Sequence, residues 1–219
     1  MRVAQKIGTN GSLKWIQRAV KYRPDLLLSK GFADIEWLSP LQVDGFAEYR
    51  DGAFLNRIGH GNLAAGLAAF WPRRGPQWDA LGRSGETIFL VEAKAYLREV
   101  ASPPSAASET SLRIIKDAFA AVKSDLGVDE SRDWTRIYYQ YANRLAHLWW
   151  LRQKGVEAKL LFVSFLGDKS MGGPSEATVW DNAFRGASAA LGLPERHGIS
   201  DHVMHVHPDV VHLERGVVE

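Results

Sequence analysis

In the run WDALGRSGETIFLVEAKAY, Trp78 to Tyr96, three charged residues stand among apolar neighbours: Asp79, Glu92 and Lys94. Side chains alternate faces along a strand, so Glu92 and Lys94 share one face with Ile88, Leu90 and Tyr96. Asp79 joins them if the strand-like run Trp78–Leu81 pairs with Ile88–Ala95 as a hairpin. A two-residue turn at Gly85-Glu86 pairs Ser84 with Thr87, and therefore Asp79 with Glu92. A turn at Ser84-Gly85 shifts the register by two and keeps both acids on one face. A three-residue loop without a bulge puts them on opposite faces. Carboxylates directly opposite each other repel, and a divalent cation is the natural offset. Mg²⁺, with Mn²⁺ as a substitute, takes oxygen ligands from one or two carboxylates, water and substrate phosphate. Lys94 beside it could polarise an attacking water and offset charge in the transition state. The chemistry these residues suit is metal-assisted phosphodiester hydrolysis.

Helices and strands must position these groups. A short helical pattern, Leu13 to Tyr22, closes at Arg23-Pro24. In LQVDGFAEYRDGAFLNRIG, Val43, Phe46, Tyr49, Phe54 and Ile58 stand near helical spacing, which predicts a helix ending at Gly59 or Gly61. A second short helix is expected from Leu63 to Phe70. RSGE gives the turn before the apolar strand Ile88–Ala95. Ser108-Glu109-Thr110-Ser111 caps a helix to about Leu126. A longer helix is expected from about Asp133 to Gln153. Ala158–Leu166 reads as a buried strand, Thr178–Leu191 as a helix and Val203–His207 as a last strand. The order predicts an α/β protein, a three-layer sandwich with a mixed central sheet flanked by helices. It forms a single domain, in which 1–40 is an N-terminal extension, 41–167 the core and 168–219 a C-terminal helix and strand addition.

Asp79 followed by Glu92-Ala93-Lys94 on the strand IFLVEAKA resembles the motif of the PD-(D/E)xK, or restriction-endonuclease-like, nucleases. The element order from about Leu41 to Leu166 resembles their αβββαβ core. The resemblance implies that Asp79 and Glu92 ligate Mg²⁺, that the Ala93 carbonyl is a further ligand, and that Lys94 assists the water. The proline expected just before the first acid is displaced: Pro76 lies three residues ahead and Trp78 is adjacent. Many such nucleases carry another acid on the helix before the hairpin. Glu48 is the candidate here, with Asp51 one turn further on and Glu36 behind it.

In DWTRIYYQYANRLAHLWWLRQKG the apolar stripe is Ile137, Tyr141, Leu145, Leu148 and Leu151, and Gln140, Asn143, Arg144 and His147 form a contiguous polar one. Amides, Arg and His beside Tyr and Trp suit a lined cleft; the same stripe also suits packing on the Ser108–Leu126 helix. RecB-like and lambda-exonuclease-like members are similar in this region, which implies Gln140 near the metal and Arg144 on a phosphate. Arg73, Arg74 and Arg83 could touch backbone phosphates, and Trp71 and Trp78 could stack bases or belong to the core.

The 219 residues carry a formal net charge of +2, so no basic coat demands a nucleic-acid partner and a local basic cleft stays open. Cysteine is absent, which removes disulfides and thiolate metal sites. The start has no apolar stretch for a signal peptide and no run is long enough to span a membrane, so a cytoplasmic protein is expected. No Walker-type loop and no Gly-x-Ser-x-Gly elbow occurs. His202, His205, His207 and His212 form a competing cluster, of which His205 and His207 share a strand face. The expected partner is a nucleic acid, DNA ahead of RNA, with no membrane and with a homodimer allowed. Two other classes remain open: a non-catalytic nucleic-acid-binding or assembly module, and a histidine-based metal-binding protein.

Overall fold

A computed structural model describes residues 1–29 and 31–214. The chain runs β1 (Arg2–Val3), α1 (Gly11–Tyr22), β2 (Glu36–Ser39), β3 (Glu48–Tyr49), α2 (Gly52–Arg57), α3 (Ala64–Phe70) and β4 (Ala80–Ser84). It continues with β5 (Thr87–Lys94), α4 (Glu109–Leu126), α5 (Tyr139–Gln153), β6 (Ala158–Ser164), α6 (Ala177–Leu191), β7 (Val203–Val206) and α7 (Val211–Glu214). Five strands form one sheet in the order β2-β4-β5-β6-β7. β2, β4 and β5 are antiparallel, while β6 and β7 run parallel to β5, so the sheet is mixed.

β5 lies at the centre and is buried from Ile88 onward, as its continuous apolar run requires. Its side chains alternate between two cores. Ile88 and Leu90, with Leu160 and Phe162 of β6, pack against the side built from α2 to α6. Phe89, Val91 and Ala93, with Leu161 and Val163, pack against Trp15, Ile16 and Ala19 of α1 and Leu213 of α7. The architecture is therefore three-layered α/β. No helix among the described residues is long and apolar enough to cross a membrane.

The hairpin has the register that a Gly85-Glu86 turn dictates: Ser84 faces Thr87, Leu81 faces Leu90 and Ala80 faces Val91. Gly85 has φ of 55° while Glu86 is not left-handed, the pattern of a glycine-first turn. β4 starts two residues later than expected and runs on to the turn. The Ser108 cap forms as its sequence suggests, its hydroxyl accepting from the Ser111 N–H.

Two expectations need correction. The stretch from Val43 to Ile58 is not one helix: Gly45 and Phe46 take left-handed φ of 59° and 48°, Glu48–Tyr49 is a strand, and only Gly52–Arg57 is α-helical. Val43, counted in the apolar stripe, is 95% exposed. The long helix begins at Tyr139 rather than Asp133, because Tyr138 adopts φ of 64° and breaks the helix; Ile137 lies before it, exposed. Of the two readings of Trp71 and Trp78, the core one holds: they are 3% and 0% exposed. The segment 1–40 supplies a sheet strand, β2, and the helix α1, which packs on β5. From 168–219 come α6, β7 and α7; residues 215–219 lie outside the described residues.

A Cβ at Gly85 would meet nothing within 4 Å, so only the backbone constrains the position. Gly85→Ala is expected to lower the unfolding free energy by about 1 kcal/mol through the positive φ alone, read from urea denaturation.

Candidate functional site

Glu92 and Lys94 project from one face of β5 toward α5, and both are buried, at 2% and 6% exposure. The Lys94 ammonium donates to a Glu92 oxygen and, at 2.7 Å, to the Gln140 side-chain carbonyl. The other Glu92 oxygen accepts from Nε of Arg144 at 2.6 Å. Arg144 sits one turn along α5 from Gln140, on the polar stripe, and is itself buried. Its remaining nitrogens donate to the Asn143 side chain and to the Gln77 carbonyl, and its guanidinium lies 5.0 Å from the Trp78 ring centre. Its fork is thus committed inside the protein. His147, the last residue of the stripe, is buried among Trp71, Phe54 and Phe70, and burial lowers its pKa to about 3.

Asp79 stands just before β4, at an irregularity. Its N–H donates to Val91 at 3.2 Å, the residue that already faces Ala80, and its Oδ2 accepts from the Ala93 N–H at 2.7 Å. The N–H and C=O of one strand residue point to the same side. The Ala93 carbonyl therefore faces the Asp79 side, while the Lys94 carbonyl faces β6 and accepts from Phe165.

Glu48 reaches the site from a strand, not from a helix as expected. The Tyr49 carbonyl accepts from the Trp78 N–H at 3.0 Å, which draws β3 alongside the start of the hairpin. One Glu48 oxygen accepts from Gln77 at 2.5 Å and from Gln5 at 2.9 Å. Neither glutamine was marked by the sequence. Gln77 adjoins Trp78-Asp79 and could have been noticed; Gln5, in the first ten residues, carries no signal.

Three carboxylates thus act on one another. Burial, then the charges of Glu92 and Glu48, raise the Asp79 pKa well above the carboxylate range. Burial and the Glu92 charge raise that of Glu48, against its glutamine partners. Burial also opposes ionisation of Glu92, but Arg144 and Lys94 together outweigh it and hold its pKa low. Two acids here retain repulsion that protein cations do not cancel.

The other sequence candidates are placed elsewhere. Asp51 precedes α2 and accepts from the N–H groups of Arg74 and Gly75, so it holds the 74–75 backbone. Glu36 is on edge strand β2, ion-paired with Arg83 near the turn end of the hairpin, away from Asp79. Arg73 and Arg74 lie exposed near the cleft; Arg74, Gln77, Lys94, Gln140, Asn143 and Arg144 are among the residues lining a cavity of about 590 Å³. His205 packs against Phe162 and Phe184, and burial lowers its pKa to about 4. His207 contacts Asp181 at 3.1 Å, His202 precedes β7, and His212 is exposed on α7.

Hard oxygen donors and surplus negative charge are what Mg²⁺ selects. Asp79, Glu48, Glu92 and the Ala93 carbonyl fit it in donor type and charge. Among the described residues, no three His, Asp or Glu groups are already arranged to hold a metal ion. Glu92 in particular has both oxygens bonded to cationic side chains.

Two stability measurements probe these charges. Folding raises the Asp79 pKa, so its charge opposes folding at high pH, and the penalty disappears as pH falls below the unfolded value near about 4. Asp79→Asn, which keeps an oxygen for the Ala93 N–H, is expected to raise Tm at pH 8 in EDTA, with the gain gone by about pH 4. Arg144→Met leaves Glu92 buried with one cation and is expected to cost about 3 kcal/mol in urea denaturation.

Compared with protein-family models, curated proteins and solved structures, the chain finds no match.

Proposed function

We propose that this protein is a divalent-metal-dependent nuclease of the PD-(D/E)xK kind, hydrolysing phosphodiester bonds, most naturally in DNA. The observation that carries the reading is the meeting of Asp79, Glu92, Lys94 and Glu48 at one end of the β4–β5 hairpin, with two of the acids still mutually repelled. The strand pattern supports it as well. Three antiparallel strands followed by helices and a parallel strand correspond to the βββαβ part of the αβββαβ core, with β2 as the first strand.

Asp79 and Glu48, with Glu92 and the Ala93 carbonyl, would hold Mg²⁺ or Mn²⁺, which when bound supplies charge neutralisation and a more acidic water. The chain's own residues do the rest. Lys94, held by Glu92 and Gln140, would offer its remaining N–H to an attacking water or a phosphate oxygen. The Gln140 N–H donates to Ser102 Oγ at 2.7 Å, which keeps the first turn of α5 against the cleft. Arg144 and Lys94 keep Glu92 ionised, the form in which a carboxylate serves as an oxygen ligand.

One observation favours the second reading, a non-catalytic binding module on the same fold. Glu92 is neutralised internally by two cations, an arrangement that stands without a metal.

Single- and double-stranded DNA, incubated with Mg²⁺ or Mn²⁺, separates the two. Cleavage is expected, reduced by about 10²-fold or more in Lys94→Ala and abolished in Asp79→Ala. DNA retained on the protein with no cutting by wild type under either metal would leave only the binding module.

A further inference from the structure

A second cavity adjoins the cleft. It measures about 890 Å³ and shares Trp71, Arg74 and Tyr139 with the first. Its walls include Arg50, Arg73, Ser108 and Ser111. Together the two form a groove between the 71–77 and 101–108 segments, which passes from Lys94 and Gln140, over Arg74, to the start of α4.

Beyond Lys94 and Arg144, which pair with Glu92, the groove's arginines have no acidic partner among the described residues, and the Arg50 guanidinium donates only to the Met1 sulfur. Arg2, Arg23, Arg83, Arg144 and Arg152 are ion-paired with acids, but among the described residues Arg50, Arg73, Arg74 and Arg98 are not. The buried Nε of Arg50 has no hydrogen-bond partner among them. Asp51 is an acid on the wall of the second cavity, and its two oxygens accept from the Arg74 and Gly75 N–H groups.

Backbone strain gathers here too. Of the four non-glycine residues with positive φ among the described residues, Asp51 (53°), Arg74 (68°) and Tyr138 (64°) flank the groove. Such conformations persist where surrounding contacts enforce them, and they concentrate at ligand clamps. The Asp51 hydrogen bonds enforce the one at Arg74, which sets that guanidinium where the two cavities join. The left-handed Tyr138 starts α5 abruptly and turns Tyr139, half-buried, into both cavities.

We infer that this groove binds one strand of nucleic acid, with successive phosphates on Arg74 and then on Arg50 and Arg73, and with a base stacked on Tyr139. Repeated guanidinium groups suit a phosphate backbone, and an aromatic beside them suits any base. Cavities of this size accept drug-sized ligands, about one or two nucleotides each, so a paired duplex does not enter. The inference rests on the nuclease reading only in placing the cut phosphate at Lys94; binding stands apart from it.

The experiment measures binding in EDTA, where metal-dependent cutting cannot occur. Fluorescence anisotropy of labelled oligo-dT, oligo-rU and a blunt duplex is followed against salt for wild type, Arg50→Gln/Arg73→Gln, and Arg83→Gln as a control far from the groove. Either single strand is expected to bind at least about tenfold tighter than the duplex. The double variant is expected to weaken that binding about tenfold and flatten the salt dependence by roughly 1.4 in slope, while Arg83→Gln changes nothing. Duplex bound as tightly as single strand, or single strand indifferent to Arg50 and Arg73, would overturn the groove. Arginine-dependent single-strand binding without any metal-dependent hydrolysis would uphold the groove and remove the nuclease reading instead.

Discussion

Glu92 is an ionised carboxylate almost wholly withdrawn from water on the face of a central strand, and its charge has to be balanced locally. Burying an unpaired charge is among the most costly arrangements a fold can hold. The balance comes from two directions, Lys94 on the same strand and Arg144 on α5. That requirement fixes how α5 lies on the sheet: the polar stripe must turn inward at Arg144, and Gln140 follows one turn away onto Lys94. The cleft opens where this polar cluster meets the first turn of the helix.

The acids of this chain sort by what their oxygens meet. Asp51, Glu99 and Asp168 are satisfied by N–H donors and act as clamps. Glu99 accepts from Ala95 and Tyr96, fixing the chain just beyond Lys94, and Asp168 accepts from Trp15 and Ser170, tying α1 to the segment after β6. Asp79 has one hydrogen-bond partner and Glu48 two, in each case on a single oxygen, and each has a negative neighbour besides. Saturated acids hold structure, whereas Asp79 and Glu48 keep an unbalanced repulsion. The distinction depends on partners, not on residue type, and it separates Asp51 from Glu48 although they are three residues apart.

Legibility followed the range of the physics involved. The β5 strand, its alternating faces and the Gly85 turn were readable because side-chain direction in a strand has a period of two and a glycine-first turn sets the register. The caps of α4 and the apolar runs of β6 and α6 were local in the same way. The 41–58 stretch misled because 3₁₀ and short α-helical turns reproduce helical spacing, and the left-handed Phe46 and Asp51 that interrupt it leave no mark in the letters. β2 was missed as a short, half-exposed edge strand. Trp71 and Trp78 were ambiguous in sequence because a large aromatic serves a core and a base-stacking surface equally well.

By itself, the sequence determined that Glu92 and Lys94 share a strand face and that a Gly85-Glu86 turn would bring Asp79 to the same side. Those relations follow from covalent geometry within about fifteen residues. Only the tertiary structure decided that Glu48 enters on a strand through the Tyr49–Trp78 bridge, that Gln5 and Gln77 hold it, and that Arg144 spends its charge on Glu92 rather than on the open cleft. Which distant donor reaches a buried carboxylate is set by how helices and strands pack around it, and no local spacing encodes that.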